Sequence, residues 1–259
     1  MRRFGWCVIA LAVGSFLLAT NAQAKDWVTI KGQVVWDDAV PVQPKITPGV
    51  NANVCAMDKD PLEEDYVVNP KNKGLKDVFV WIRPTGAAKD APFPVADINP
   101  ALAKLTKDTV TIDQPCCRFI PHVLAAREGQ IMVIENSAPI AHNAKWSSSN
   151  NGDVNPLLAA GGNFKLPKPL VAESGLISLS CSIHPWMKAY VQVFDHPYYA
   201  VTDADGHFEI KLAPTGNYNV FIRHPANGWY KGKAGNKGLP ETIAASGLDL
   251  GVIKMKKND

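Results

Sequence analysis

The chain has 259 residues, 46% of them hydrophobic, which allows one or two domains with real cores and excludes a disordered chain. Its 27 basic and 24 acidic residues give a formal net charge of +3. That near balance excludes a nucleic-acid or membrane-surface binder held by bulk charge.

In chain order, the first element is MRRFGWCVIALAVGSFLLATNAQA, residues 1–24. It has a basic start at Arg2 and Arg3, an apolar middle and a small-x-small end, Ala22-Gln23-Ala24. These are the three parts of a secretory signal, and the apolar run is short for a bilayer span. Cleavage after Ala24 is predicted over retention as an anchor, and Cys7 lies too early to become a lipidated first residue. Removal of both arginines brings the chain still closer to neutrality. The expectation is export to the periplasm or cell envelope, with no transmembrane anchor in the mature chain.

From residue 27 onward the pattern is that of strands. The runs at 27–36, 77–82, 109–112, 130–136, 176–183, 190–194, 207–212, 218–224 and 250–255 are rich in Val, Ile and aromatics, and turn residues bound them. Only NPALAKLTKD, 99–108, reads as a short helix. The 20 prolines and 19 glycines suit turn-rich β structure, so the fold class is all-β, a sandwich or barrel. Asp203 and Asp205 lack the other ligands of a calcium loop, and Asp-Ala-Asp-Gly reads as a β-turn.

The stretch 201–224 resembles a transthyretin-like, carboxypeptidase-regulatory β-sandwich, and VTIKGQVVW resembles the first strand of such a module. The resemblance implies an outer β-module built from 26–106 and 197–257, around a central domain at 107–196.

The chemistry concentrates in that central segment. SCSIHPWMKAY, 180–190, places Cys181, His184 and Met187 at spacings of three and three. A thiolate, an imidazole and a thioether are soft or borderline ligands that together suit copper. A trigonal site with two histidines, one cysteine and a weak axial methionine needs one more imidazole. The best candidate is His142 in NSAPIAHNAKW, which follows a strand and a proline-containing turn. Zinc ranks below copper, because zinc thiolate sites seldom use methionine and the loop holds a single cysteine. Each residue alone reads more readily as core or structural; the combination favours a metal.

FIPHVLAAREGQIMVIENSAPIAHNAKW, 119–146, and CSIHPWM, 181–187, resemble the two ligand-bearing halves of a cupredoxin. The Cys-x-x-His-x-x-Met spacing is similar to the short ligand loop of amicyanin, including Pro185 after the histidine and the aromatic Trp186 before the methionine. The combination with flanking modules resembles proteins described as methylamine-utilisation-like. The resemblance implies a Greek-key cupredoxin β-sandwich over roughly 107–195, with one copper held by His142, Cys181, His184 and Met187. It implies that Asn143 reaches across to orient the ligand loop. Pro185 would stiffen the loop, and Trp186 with Ile183 would keep water off the metal.

Cys181 is flanked by Ser180 and Ser182, which disfavours multicopper oxidases and nitrite reductases, and a single loop cysteine disfavours a dinuclear centre. After export the remaining thiols are expected to pair. Cys55 with Cys117 is preferred, Cys55 with Cys116 stays open, and a strained Cys116–Cys117 bridge comes last. Closing a loop of about 60 residues would stabilise the fold by roughly 4 kcal/mol in the chain-entropy model. His122 reads as structural rather than as an accessory ligand, and His196, His207 and His224 are assigned no chemistry.

The expected function is one-electron transfer rather than catalysis, with His184 as the solvent-side ligand and electron port. Pro185, Trp186 and Trp146 are expected to form an apolar docking patch for a weak, transient redox partner such as a c-type cytochrome or a dehydrogenase. Two alternatives remain open: a copper handler (chaperone, sink or sensor), and an envelope interaction module with a structural metal site.

Overall fold

The run DVFVWI lacks the alternation of a half-buried strand, and the structure supplies the reason. In the computed structural model, which describes residues 25–56, 61–88 and 91–257, residues 79–82 of this run lie in the strand Phe79–Pro84, covered on both faces. Val80 and Ile82 point into a core with Ile30, Val34, Trp36, Val220 and Ile222. Phe79 and Trp81 point the other way, against Val123 and Phe194. A strand with apolar neighbours on both sides has no solvent face to encode. The predicted export signal, with Cys7, lies outside the described residues.

The chain is all-β, apart from helical turns of a few residues. Its four larger sheets stack in layers. The first pairs Trp27–Trp36 antiparallel with His207–Pro214 and parallel with Leu248–Met255. The second contains Tyr199–Val201, Phe79–Pro84, Gly216–His224 and Gly228–Trp229, with Leu239–Ile243 also pairing Gly216–His224. One core fills the space between these two sheets. The turn at 203–207 closes on Asp203, whose Oδ1 accepts from the Asp205 and His207 amides at 2.9 Å. Gly206 is required there: its φ is +77°, and a Cβ would stand 2.1 Å from the Val34 carbonyl oxygen.

The third sheet pairs Lys188–Phe194 parallel with Val123–Arg127 and antiparallel with Ile177–Ser180. The fourth pairs Ile131–Glu135 parallel with Thr109–Ile112 and antiparallel with Asn163–Lys165. Ala189, Val191 and Val193 face the fourth sheet across a core with Ile112, Met132, Ile134, Ile177 and Leu179. On the opposite face, Tyr190 and Phe194 pack against the second sheet. Alternate residues of one strand thus serve two cores, as period-2 geometry requires.

The predicted helix over 99–108 is replaced by a single 3-10 turn, Pro100–Leu102. Asn99 caps it, accepting from Ala101 N at 2.9 Å. The Arg127 guanidinium then donates to the carbonyls of Leu102 and Ala103, which a longer helix would have spent on its own amides. The strand Val123–Arg127 is not among the runs rich in Val, Ile and aromatics; it lies between Phe-x-Pro and Glu-Gly, where the cupredoxin resemblance of 119–146 implies a strand. Its two alanines have weak strand preference, and it forms through pairing with Lys188–Phe194. No described helix is long and apolar enough to cross a membrane.

Candidate metal centre

The ligand candidates come from two chain segments joined at one end of the central sandwich. The strand Ile177–Ser180 delivers Cys181 at its exit. The other segment leaves Ile131–Glu135 through a loop gathered by Asn136. Its side-chain amide donates to the carbonyls of Ile140, Leu158 and Ala159 at 2.8, 3.1 and 2.9 Å. The short strand His142–Asn143 follows, paired with Leu157–Leu158. Two hydrogen bonds then stitch the segments together: Lys145 N to Ser180 O at 2.8 Å, and Ser180 N to Lys145 O at 2.9 Å.

Asn143 completes the join. Its Oδ1 accepts from Ser182 N at 2.7 Å and from the Cys181 thiol at 3.3 Å, and its amide donates to Asn155 Oδ1 at 2.6 Å. The ligand loop closes through Met187 N donating to His184 O at 2.9 Å and Cys181 N to Met187 O at 3.4 Å. Pro185 sits exposed at its tip.

Ligand atoms of His142, Cys181 and His184 all lie within 4.8 Å of one another. Cys181 Sγ is 3.8 Å from His184 Nδ1, and the two imidazole rings are centred 4.6 Å apart. The three side chains are buried, and Met187 is buried in the same core.

The electrostatics prepare these groups for a metal. Burial, with a smaller contribution from His184, pushes the His142 pKa down to about 4. Burial also lowers that of His184. Both rings are therefore neutral near pH 7, with lone pairs free to coordinate. Among the described residues neither nitrogen of His142 has a hydrogen-bond partner, although both are buried. Each such unsatisfied group costs about 1–3 kcal/mol. An imidazole left bare beside a thiol and a second imidazole fits a soft-to-borderline metal ion.

A cover lies over this end of the sandwich. The disulfide joins Cys55 to Cys117, across a sequence separation of 62, and its sulfurs lie within 4.8 Å of a His184 ring nitrogen. As a disulfide the pair offers no thiolate, so it is not itself a ligand set. Asn51, four residues before Cys55, accepts from His184 Nε2 at 3.2 Å. A proton on Nε2 leaves the neutral ring's lone pair on Nδ1, the atom facing Cys181. Trp186 packs edge-on to His184 at 5.3 Å, and its indole donates to Cys117 O at 3.2 Å. Asn51, Cys116 and Cys117 all hold left-handed backbone, with φ of 55°, 47° and 58°. For residues other than glycine this costs roughly 1–2 kcal/mol each.

These contacts correct two expectations. His184 is not a solvent-side ligand: its exposure is 0%, because Asn51, Trp186 and the disulfide enclose it. Trp146 is not part of a docking patch. It is buried in the core, and its indole donates to Gly152 O at 3.1 Å. His122 lies outside the cluster, buried, with Nδ1 3.0 Å from Lys188 O. Cys116 is the unpaired neighbour of the disulfide. Asn51 escaped the sequence reading, since no motif links it to a histidine 133 positions away.

No protein-family model matches the chain, and no curated protein matches it. Solved structures do. A purple cupredoxin from Nitrosopumilus maritimus is similar over 32% of this chain and 97% of its own, at 24% identity and a TM-score of 0.27. A reduced Cu(I) form of an amicyanin variant is similar over 43% of this chain and 97% of its own, at 17% identity and a TM-score of 0.30. A copper-containing nitrite reductase from Thermus scotoductus is similar over 43% of this chain and 25% of its own, at 20% identity and a TM-score of 0.30. The structural neighbours of this chain thus include cupredoxins and a copper enzyme, each alike over less than half of its length.

Proposed function

We propose that the chain is an exported mononuclear copper protein of the type 1 kind, working in one-electron transfer. The observation that carries this reading is the buried convergence of His142, Cys181 and His184, with both His142 nitrogens unpartnered. Met187, buried in the same core, would be the fourth residue to hold the metal, through its thioether.

When bound, copper would supply a one-electron couple between Cu(II) and Cu(I). The chain's own contribution is to hold the ligands in one geometry and to exclude water. The Lys145–Ser180 bridge ties the two ligand segments together, and Asn143 fixes the first turn of the loop through Ser182 N. Trp186 screens one side of His184. Loss of a hydrogen bond that orients a ligand typically lowers metal affinity by about 10–100-fold.

The redox partner is proposed to be a protein bound weakly and transiently, such as a c-type cytochrome or a dehydrogenase. The enclosed His184 moves its docking surface away from that ring. The same enclosure favours a second reading, in which the protein stores or delivers copper. Loading with Cu(II) tests the shared premise: the purified protein is expected to gain an intense visible thiolate-to-copper band that Cys181→Ser abolishes. Fast self-exchange between Cu(II) and Cu(I) forms would support the carrier. Slow exchange, with ready transfer to a Cu(I) chelator, would support delivery.

A further inference from the structure

The cover over His184 comes from outside the central sandwich. The residues of 49–56 follow the first outer strand by sequence, and one of them, Cys55, is fastened into the central core. Three features meet at that point. Asn51 Oδ1 accepts a hydrogen bond from His184 Nε2. The Cys55–Cys117 disulfide stands beside the same ring. The Cys117 carbonyl accepts a hydrogen bond from the Trp186 indole, so the disulfide-bearing turn is tied to the ligand loop itself.

The helical turn Ala52–Cys55 is too short to hold itself in place, and no side chain caps it. Ala52, Asn53 and Ala56 are exposed, while Cys55 is buried. Cys55 is therefore the anchor that keeps Asn51 against His184. On the opposite side of the bond, Cys116 and Cys117 occupy left-handed backbone that non-glycine residues adopt only when their surroundings enforce it.

We infer that Asn51 is a positioning residue for His184, and that the Cys55–Cys117 disulfide is the bolt that holds this cap over the metal centre and limits access to it. With the bond closed, Asn51 fixes the ring tautomer that turns Nδ1 toward Cys181, and the cap bars solvent and chelators from the His184 edge. Two-electron reduction by an external dithiol, which becomes the disulfide while Cys55 and Cys117 each take up a proton, releases the anchor and opens that edge. The inference rests on the proposed copper site for its consequence, but the cap can be tested without metal.

The test uses the mature chain without metal and diethyl pyrocarbonate as the imidazole probe, with exposed His207 as the internal reference. In the oxidised protein His184 should react far more slowly than His207. Treatment with dithiothreitol, or the double change Cys55→Ser and Cys117→Ser, should raise the His184 rate several-fold, toward that of His207, as should Asn51→Ala with the disulfide intact. Amide exchange at 49–56 should quicken on reduction while exchange in the strand Lys188–Phe194 stays unchanged, which separates opening of the cap from unfolding. In copper-loaded protein, Asn51→Ala should shift the visible band and speed Cu(I) transfer to a chelator by about tenfold. Equal labelling of His184 and His207 in oxidised protein would overturn the inference. So would labelling and exchange that do not respond to reduction or to Asn51→Ala. A protein that binds no copper yet shows the labelling pattern would refute the proposed function and leave the cap standing.

Discussion

Both halves of this molecule bury histidines, and they do so for different ends. In the outer sandwich, His224 is stacked on Tyr66 at 5.3 Å and accepts from Asn227 N at 3.2 Å through Nδ1. His196, in the segment leading into that sandwich, accepts from Tyr198 N at 3.1 Å and packs on Phe93 at 4.5 Å. Each has a hydrogen-bond partner at Nδ1 and an aromatic neighbour, although His196 Nε2 is buried without a hydrogen-bond partner among the described residues. In the central sandwich, His142 has no hydrogen-bond partner for either nitrogen, and it converges on a thiol and a second imidazole. Burial and a lowered pKa therefore do not mark a metal site. The feature that points to one is an imidazole unpartnered at both nitrogens, converging on a thiol and a second imidazole.

The comparison can be broken most severely at Cys181. Cys181→Ser should remove the thiolate-to-copper absorption entirely while leaving the outer sandwich intact; absorption that survives the change would refute the assigned ligand.

The next effect separates the two kinds of histidine by sign. Replacing an orphaned buried polar group with an apolar one of similar size relieves its desolvation cost. His142→Leu should therefore stabilise the metal-free protein by about 1–3 kcal/mol while abolishing copper binding. His224→Leu strips Asn227 N of its acceptor and should destabilise by about 1–3 kcal/mol. Urea unfolding of the metal-free proteins measures both, and shifts of the same sign would erase the distinction.

The pH response follows. Burial pushes His142 down to about 4 and His224 down to about 3, from an ordinary 6.5. Both rings are neutral in the fold and bind protons more readily when unfolded. Their contribution to stability is full above about 6.5 and falls away as the pH drops toward those lowered values. Copper bound at His142 competes with its proton, so loaded protein should keep that share to lower pH while the His224 share stays unchanged. Unfolding scans between pH 7 and 4, with and without copper, check this; identical acid profiles would contradict it. The smallest effect is expected at Trp186. Trp186→Phe should cost about 1 kcal/mol through loss of the bond to Cys117 O, with the visible band retained.

What the sequence disclosed follows from how local each feature is. Cys181, His184 and Met187 lie within one turn-sized loop, so spacing alone groups them. His142 was reachable because it follows a recognisable strand and turn. Strands with β-branched and aromatic residues were legible from composition, whereas Val123–Arg127, with its two alanines, was legible only through the resemblance of 119–146 and depends on its neighbour for its conformation. The cover was legible in part: Cys55 with Cys117 is the preferred pairing in the sequence and is the disulfide in the structure, whereas Asn51 meets His184 only after two sandwiches are stacked. That tertiary contact is also why His184 is enclosed where an exposed ligand was expected.

X-ray absorption at the copper edge of the loaded, oxidised protein tests the central claim most directly. One close sulfur, from Cys181, and two imidazole nitrogens, from His142 and His184, are expected. Copper surrounded only by nitrogen and oxygen, or by the two sulfurs of Cys55 and Cys117 with His184, would contradict it.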